Sequence, residues 1–270
     1  ADLFLPSRPD FLATMTIQRT ISPVDDRVYV ERTLATHVQI EAALAGARLA
    51  QRVWRKVTMA ERAAILSRFC DAFESHGDAI AEELTWQMGR PLRYAPSEVR
   101  GTLERARHMI AIAPAALADI DAGPKAGFHR FLRREPLGVV FTVAAWNYPY
   151  LIAVNSVVPA LMAGNVVVLK HSAQTPLCAE RFEECLREAG LPEGAFQALH
   201  LSHADTERVI GDSRVDFVAF TGSVAGGHAV QRAAASRFIG TGLELGGCDP
   251  AYVRHDANLG HAIEKLVDGA

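Results

Sequence analysis

Four polar or glycine-rich segments follow runs of apolar residues, and each carries residue types that can do chemistry. Asn147 follows the uncharged run 138–145, and an amide at that point could donate a hydrogen bond to a developing oxyanion. Lys170 ends a second apolar run. Its ammonium group must reach water or an anion, because an unpaired buried charge is costly. The other two segments are 220–223 and 244–247.

These last two segments combine glycines with a polar side chain. The small residues between Gly222 and Gly227 precede a predicted helix, where a pyrophosphate could approach backbone N–H groups. Glu244 lies in an apolar, glycine-rich turn, and burial there would raise its pKa and suit a general base. Each feature also has a plain structural explanation. Asn147 could cap a helix, and Lys170 could extend along the surface. The small residues after 221 could form a plain strand-to-helix turn, and Glu244 could accept hydrogen bonds from turn N–H groups.

The elements that must position these residues alternate between strands and helices. Strands are predicted at 139–145, 166–170, 196–201, 215–221 and 243–245. Helices are predicted at 151–163, 178–188, 205–210, 224–235 and 259–267. Largely uncharged strands alternating with helices predict an α/β fold, a doubly wound parallel sheet covered on both faces. Ligands of such a sheet bind at the carboxyl ends of its strands, which is where the four segments lie.

The chain before this sheet reads as an arm followed by helices. Residues 1–36 are predicted to be irregular, with short extended pieces. Thr58 and Glu61 form the pattern of a helix capping box, and Gly89 is a helix-ending residue. Ser97 is the predicted cap of another long helix.

Composition excludes several classes of protein. The chain has 270 residues, with 28 Lys and Arg against 31 Asp and Glu, so no basic excess favours nucleic acid. The uncharged stretch 138–169 contains prolines, a glycine and asparagines, which favours a buried strand–helix–strand unit over a membrane span. Four cysteines without CxxC spacing predict neither a zinc site nor a disulfide scaffold, so we expect no metal and a cytoplasmic setting.

The order of the four segments resembles the aldehyde dehydrogenase superfamily. The sequence reads Trp146-Asn147-Tyr148-Pro149, then Lys170, then Phe220-Thr221-Gly222-Ser223, then Glu244-Leu245-Gly246-Gly247. The likeness also includes Gly89-Arg90-Pro91, Ser97-Glu98-Val99 and Arg134-Glu135-Pro136-Leu137-Gly138. It covers nearly the whole chain and implies a Rossmann-like fold with N-terminal helices and a projecting oligomerisation strand.

The resemblance implies NAD- or NADP-dependent oxidation of a small-molecule aldehyde to the carboxylic acid, through a cysteine thiohemiacetal and thioester. Asn147 would hold the oxyanion, and Glu244 would activate the hydrolytic water. The cofactor would contact Trp146, Lys170, Phe220, Gly222, Ser223 and Gly227. The aldehyde tunnel would include Tyr148, Leu151, Ile152 and Asn155.

The chain departs from the family pattern at four places. The family's nucleophilic cysteine lies further downstream than this sequence extends, so we expect a cofactor-binding portion that is inactive alone. Cys248 stands where the family usually has lysine and is expected to pack in the turn. Ala173 replaces the glutamate of many NAD-preferring members, so NADP should be tolerated. Asn155 replaces a bulky aromatic residue and favours a polar aldehyde.

The expected organisation follows from the same resemblance. We expect an N-terminal arm and helices at 1–127, an oligomerisation strand segment at 128–137 and a Rossmann-like NAD(P)-binding domain at 138–270, without the catalytic domain. The complete enzyme should be a homo-oligomer, either a dimer or a tetramer, with no nucleic-acid or membrane partner. One alternative is a catalytically inactive nucleotide-binding or scaffold protein of the same fold. Another is a relative that releases an acyl-CoA or acyl phosphate, against which Glu244 argues.

Overall fold

The computed structural model describes residues 16–248 and 250–269. It begins with two antiparallel strands, β1 (Ile17–Ile21) and β2 (Val28–Thr33), which form a two-stranded ribbon. The predicted irregular arm is therefore a regular ribbon over this part. Its first residues, 1–15, lie outside the described residues.

Four helices follow the ribbon. They are α1 (His37–Trp54), α2 (Met59–Ser75), α3 (Gly77–Met88) and α4 (Ala95–Ala116). The predicted capping box is confirmed, because the Thr58 hydroxyl accepts from the Glu61 backbone N–H and the Glu61 carboxylate accepts from the Thr58 N–H. Gly89 ends α3 in the left-handed conformation, with φ of 77°, which glycine adopts at little cost.

The predicted start of α4 is wrong. Its N-cap residue is Tyr94, and Pro96 lies in the first turn, where its fixed φ and missing N–H suit a helix. Ser97 is already inside the helix, and its hydroxyl donates to the Tyr94 carbonyl oxygen at 2.6 Å. Serine was a plausible cap by type, but the proline upstream had already begun the helix.

A short ribbon comes next. β3 (Ile120–Asp121) pairs antiparallel with β4 (Phe131–Leu132). The strand in the predicted oligomerisation segment 128–137 is thus only two residues long. Both strands are exposed, so the described residues bury neither of its faces.

The central feature is a five-stranded parallel sheet. Its strands are β5 (Val139–Val143), β6 (Val166–Lys170), β7 (Phe196–Ala198), β8 (Phe217–Thr221) and β9 (Gly240–Glu244). They lie in the spatial order β7-β6-β5-β8-β9. The chain therefore builds outwards from β5 in one direction and then returns to build in the other. This is the predicted doubly wound parallel sheet, with its switch point between β5 and β8.

Helices connect and follow these strands. They are α5 (Pro149–Met162), α6 (Pro176–Glu188), α7 (His203–Gly211), α8 (Val224–Ala234) and α9 (Leu259–Gly269). None of the helices within the described ranges is both long enough and apolar enough to cross a membrane.

One strand differs from its prediction for a reason that lies in packing. β9 begins at Gly240 rather than at residue 243, although glycine is disfavoured in strands. A Cβ atom on Gly240 would lie 2.9 Å from Cδ2 of Phe217 on the paired strand β8. The missing side chain therefore leaves room for the Phe217 ring, a relation that local sequence patterns do not reveal.

The core joins the first helices to the sheet layer. Strands β5 and β6 are buried along their whole length. Phe73 of α2 packs edge-on against Tyr150 of α5, with ring centroids 5.1 Å apart, and Phe182 of α6 lies beside both. The Trp54 indole N–H donates to the Leu161 carbonyl oxygen at 3.0 Å. The helices α1 and α2 are thus packed into the same core as the sheet.

A buried histidine ties the end of β6 to the start of α5. His171 accepts the Ser172 backbone N–H on Nδ1 at 2.9 Å, so the neutral ring carries its proton on Nε2, which lies 3.2 Å from the Pro149 carbonyl oxygen. Burial lowers the pKa of His171 from 6.5 to about 4. The folded protein therefore holds the uncharged ring.

This histidine should make stability fall in mild acid. Between pH 6.5 and about 4 the unfolded chain takes up a proton that the folded chain refuses, so the free energy of unfolding decreases as the pH falls. From pH 7 to pH 5 the loss should be about 2 kcal/mol. Urea unfolding of the wild type and His171→Gln at both pH values measures it. An equal loss in the two proteins would contradict the assignment.

Candidate active site

The four segments singled out in the sequence meet at one edge of the sheet. In the parallel register, Val143 of β5 lies beside Lys170 on one side and beside Phe220 on the other. Thr221 is paired with Glu244 on the next strand. The backbone N–H of Gly222 donates to the Glu244 carbonyl oxygen at 3.0 Å, so the pairing continues past the strand ends.

A cleft of about 770 Å³ opens at this edge. Asn147 and Glu244 both line it, although 97 positions of sequence numbering separate them. The other predicted site residues along its wall are Trp146, Lys170, Phe220, Gly222 and Ser223. An amide donor, a cation, a helix start and a carboxylate therefore share one space.

Lys170 is the most constrained group of the cleft. The residue is only 8% exposed, and its ammonium group forms no hydrogen bond or ion pair with residues 16–248 or 250–269. Burial lowers its pKa. An ammonium group in this position is stabilised by an anion or hydroxyls that enter the cleft, which favours the binding interpretation over a surface-extended lysine.

The glycine-rich turn has two different uses. Ser223 caps α8, and its hydroxyl accepts from the Gly226 backbone N–H at 3.1 Å. A Cβ atom on Gly222 or Gly226 would lie 2.6 Å from Cζ of Phe220, so the ring rests directly on the turn. Small residues are needed there because the phenyl ring and the backbone are in contact.

Gly227 plays a packing role in the structure. It is buried and does not belong to the wall of the cleft. A Cβ atom on Gly227 would lie 2.6 Å from Cδ2 of Leu245. Its absence lets the segment after β9 pack against α8, which is different from the direct cofactor contact that the resemblance implied.

Asn147 does not cap the helix that follows it. The N-cap of α5 is Tyr148, which makes no side-chain capping bond. The Asn147 amide is exposed, and within the described part of the chain it forms no hydrogen bond. Its backbone carbonyl oxygen accepts from Nη2 of Arg90 at 2.9 Å. The side chain is therefore available to a ligand while the backbone is held.

The expectation that Glu244 is buried is wrong for the described residues. Its side chain and the turn 245–248 are exposed. The carboxylate instead borders two cavities, the cleft and a second cavity of about 540 Å³ next to α5. A ligand bound in the second cavity therefore has one end beside the Glu244 carboxylate.

Only two of the four predicted tunnel residues line the second cavity. Ile152 and Asn155 do, and the Asn155 side-chain oxygen accepts from Nη1 of Arg105 at 3.2 Å. Leu151 instead packs on α4, where a Cβ atom on Gly101 would lie 3.2 Å from its Cδ2. Tyr148 lies under the Arg90 guanidinium, 4.6 Å from ring centroid to Cζ.

Sequence reasoning missed one wall of the cleft. This wall contains Ser172, His203, Thr206 and Glu207. Three of these residues lie on α7, which follows β7 at the same edge of the sheet. The general rule that βα connections form the binding edge was a sufficient signal, although no residue pattern marks them.

Ala173 lies next to this wall but outside it. Its side chain is exposed, and its carbonyl oxygen accepts from the Thr20 hydroxyl at 2.8 Å. The neighbouring Ser172 does line the cleft. Position 173 is therefore adjacent in sequence to a residue of the cleft wall.

Three of the four cysteines are poor nucleophiles. Burial raises the pKa of Cys70 to about 11 and that of Cys185 to about 12, and it also raises the pKa of Cys178. A neutral buried thiol does not attack a carbonyl, since the thiolate is the reactive form. Cys248 is exposed, so it does not pack in the turn as expected.

One group of possible metal ligands lies outside the cleft. His76, Glu184 and Glu188 bring ligand atoms within 4.8 Å of one another. Arg181 already pairs with Glu184, and Nε2 of His76 lies 3.2 Å from Glu188. These contacts account for the cluster as ion pairing between helices.

A comparison with models of protein families shows the family of the chain. The model of the aldehyde dehydrogenase family matches residues 13–270. The chain belongs to the aldehyde dehydrogenase family. The Rossmann-like fold expected from the resemblance agrees with the solved structures of this family that the chain matches.

Several relatives resemble this family member over nearly its whole length. Succinate-semialdehyde dehydrogenase (NADP(+)) 1 of Mycobacterium tuberculosis is 35% identical over 252 residues, covering 93% of this chain and 55% of the relative. Succinic semialdehyde dehydrogenase of Streptococcus pyogenes, solved with NADP+, is 30% identical with a TM-score of 0.86, covering 92% of this chain and 54% of that one.

A third relative has another named substrate. NADP-dependent glyceraldehyde-3-phosphate dehydrogenase of Bacillus halodurans, solved with NADP, is 29% identical with a TM-score of 0.85, covering 94% of this chain and 54% of that one. The chain spans about half the length of the relatives it matches.

The ammonium group of Lys170, which has no partner among the described residues, should lower stability when no ligand is bound. We expect Lys170→Met to raise the free energy of unfolding by about 1 kcal/mol in buffer without phosphate or sulfate, because a buried charge without a partner is replaced by an apolar chain of similar length. Urea unfolding measures the change. Lys56→Met, at an exposed position, is the control and should change little. A variant less stable than the wild type would show that Lys170 is already satisfied.

Proposed function

We propose that this chain is the cofactor-binding part of an enzyme that oxidises an aldehyde to the carboxylic acid with NAD or NADP, through a cysteine thiohemiacetal and thioester. The observation that carries the proposal is the cleft that Asn147, Lys170 and Glu244 share. The family membership supports the reaction class. The relatives named above support a nicotinamide cofactor.

The residues of the cleft fit a dinucleotide. The Lys170 ammonium lacks a counter-group among the described residues, and ribose hydroxyls or a phosphate would supply one. The start of α8 presents backbone N–H groups beside small residues, which suits a pyrophosphate. The chemistry that NAD or NADP would supply when bound is an acceptor for the hydride of the substrate carbon. Lys170, Trp146, Phe220, Gly222 and Ser223 would hold the cofactor against the sheet edge.

Two polar side chains of the chain would act in the other steps of the reaction. The Asn147 amide would donate a hydrogen bond to the oxyanion formed when a thiolate adds to the aldehyde carbon. Glu244 would accept a proton from the water that hydrolyses the thioester. The nucleophile would come from residues outside these 270. Cys70, Cys178 and Cys185 are buried as neutral thiols, and Cys248 stands where the family usually has lysine.

We also propose a polar aldehyde as substrate. Asn155 lines the second cavity together with Glu244, and Arg105 lies against the Asn155 side chain. A polar tail would form hydrogen bonds with these groups, whereas an aliphatic one would not. The two semialdehyde dehydrogenases among the relatives have substrates of this kind by name.

The complete enzyme is further proposed to be a cytoplasmic homo-oligomer. The ribbon of β3 and β4 exposes Ile120, Phe131 and Leu132, and Phe128 beside it is also exposed. Exposed apolar side chains on a short ribbon favour association through it, and its strand β4 lies in the stretch 128–137 proposed for oligomerisation.

NADP should bind the complete enzyme with a Kd no more than roughly a hundredfold above that for NAD. The alanine at position 173 supplies no carboxylate, so a 2′-phosphate meets no repulsion from that position. Ala173→Glu should weaken NADP binding at least about tenfold and leave the Kd for NAD within about threefold.

Isothermal titration measures both constants, and Ala173→Gln is the matched control because it adds the same bulk without the charge. Equal losses in the Glu and Gln variants would mean that size alone matters. A wild-type Kd for NADP far above the stated limit would defeat the proposal that both cofactors are accepted.

The isolated 270-residue chain should show no aldehyde-dependent formation of NADPH or NADH, because it offers no activated thiolate. The complete enzyme should form the reduced cofactor, which the near-ultraviolet absorbance reports. Cys248→Ser in the isolated chain is the control for a contribution from the exposed thiol.

Turnover by the isolated chain would show that the nucleophile lies within it, at Cys248 if the Ser variant is inactive. A complete protein that binds NADP but oxidises no aldehyde would favour the alternative of an inactive nucleotide-binding or scaffold protein.

A further inference from the structure

A buried ion pair lies directly behind the cleft, on the side of the N-terminal helices. Glu98 of α4 is 1% exposed, and Nη1 of Arg90 lies 2.6 Å from its Oε2. The contact is too oblique for an aligned hydrogen bond, so the attraction is that of an ion pair. Removing one member of such a pair leaves an uncompensated buried charge.

The same two side chains hold the segment that carries Asn147. Nη2 of Arg90 donates to the Asn147 carbonyl oxygen at 2.9 Å. The Arg90 guanidinium lies over the ring of Tyr148, 4.6 Å from its centroid. Oε1 of Glu98 accepts from the Tyr150 backbone N–H at 2.9 Å. A carbonyl, a ring and an N–H within four consecutive residues are thus fixed by one ion pair.

Nothing else in the described chain holds the Asn147 side chain. The amide is exposed and has no hydrogen bond of its own within residues 16–248 and 250–269. Its position therefore depends on the backbone that Arg90 and Glu98 hold. Displacement of a group by about 1 Å at a reacting centre can cost about a hundredfold in rate.

The placement of Arg90 is itself built into the chain. Gly89 ends α3 with φ of 77°, which turns the backbone so that Arg90 follows the helix at once. A Cβ atom on Gly89 would also lie 3.0 Å from Cγ of Pro23. The motifs around Arg90 and Glu98 have no role in the proposed cofactor binding or reaction. Their side chains contact each other next to the backbone of Asn147.

We propose that Arg90 and Glu98 are positioning residues that aim the Asn147 amide at the reacting oxygen. They touch neither the substrate nor the cofactor in this proposal. The inference rests on the proposed function, because it presumes that Asn147 holds the oxyanion. A merely structural role, in which the pair only anchors the start of α5, is the competing explanation.

The test uses the complete enzyme with Arg90→Met, Glu98→Gln and the double variant. Arg90→Met leaves a buried carboxylate without its cation and should lower the Tm. The double variant removes both charges and should recover most of that Tm. Its kcat should nevertheless stay at least about tenfold below that of the wild type, because the Asn147 carbonyl and the Tyr148 ring still lack the guanidinium. The Kd for NADP should stay within about twofold of the wild-type value.

A mutant cycle with Asn147→Ala provides the second readout. In that background the double variant should lower kcat by less than about twofold, since no amide remains to be positioned. The matched control is the Arg181→Met/Glu83→Gln double variant, which removes another partly buried ion pair on α3 and α6. That control should leave kcat within about twofold of the wild type.

The outcomes separate the two levels of inference. Recovery of kcat together with Tm in the Arg90/Glu98 double variant, or additive losses with Asn147→Ala, would overturn the positioning role and leave an anchoring role. An unchanged kcat in Asn147→Ala alone would overturn the proposed oxyanion role, and with it the basis of this inference.

Discussion

The parallel pairing of β5 with a strand on each side is the constraint on which the rest of the structure depends. It places Val143 next to Lys170 and Phe220 in register, so polar segments far apart in the chain end at the same edge. Strands β5 and β6 are buried on both faces. A slip of one residue would exchange the faces of every side chain and disturb both layers of packing, which makes the register a strong determinant of the site.

The groups at this edge are not those that make the protein stable. Lys170 is buried without a counter-charge among the described residues, while Asn147 and Glu244 are exposed. Stability instead comes from the close-packed layer in which Phe73, Tyr150 and Phe182 meet. An energetically unfavourable set of polar groups can persist because the surrounding core holds the strand ends in place.

The N-terminal helices contribute to the site as well as to the core. Oε1 of Glu98 on α4 accepts from the Tyr150 N–H in the first turn of α5, where a carboxylate also suits the positive end of the helix dipole. Arg90 extends this contact to the segment before the helix. The backbone at Asn147 is therefore contacted by a residue that precedes the sheet in the chain.

The sequence by itself determined the alternation of strands and helices, the cap at Thr58, the helix end at Gly89 and the convergence of four segments at one edge. These features follow from local patterns and from the general rule for parallel sheets. The start of β9 at Gly240 could not be predicted, because it depends on space for the Phe217 ring. The exposure of Glu244 and the contact between Arg90 and Asn147, 57 residues apart, were decided by tertiary structure alone. Burial and long-range contact depend on which distant segments pack together, and no local pattern carries that information.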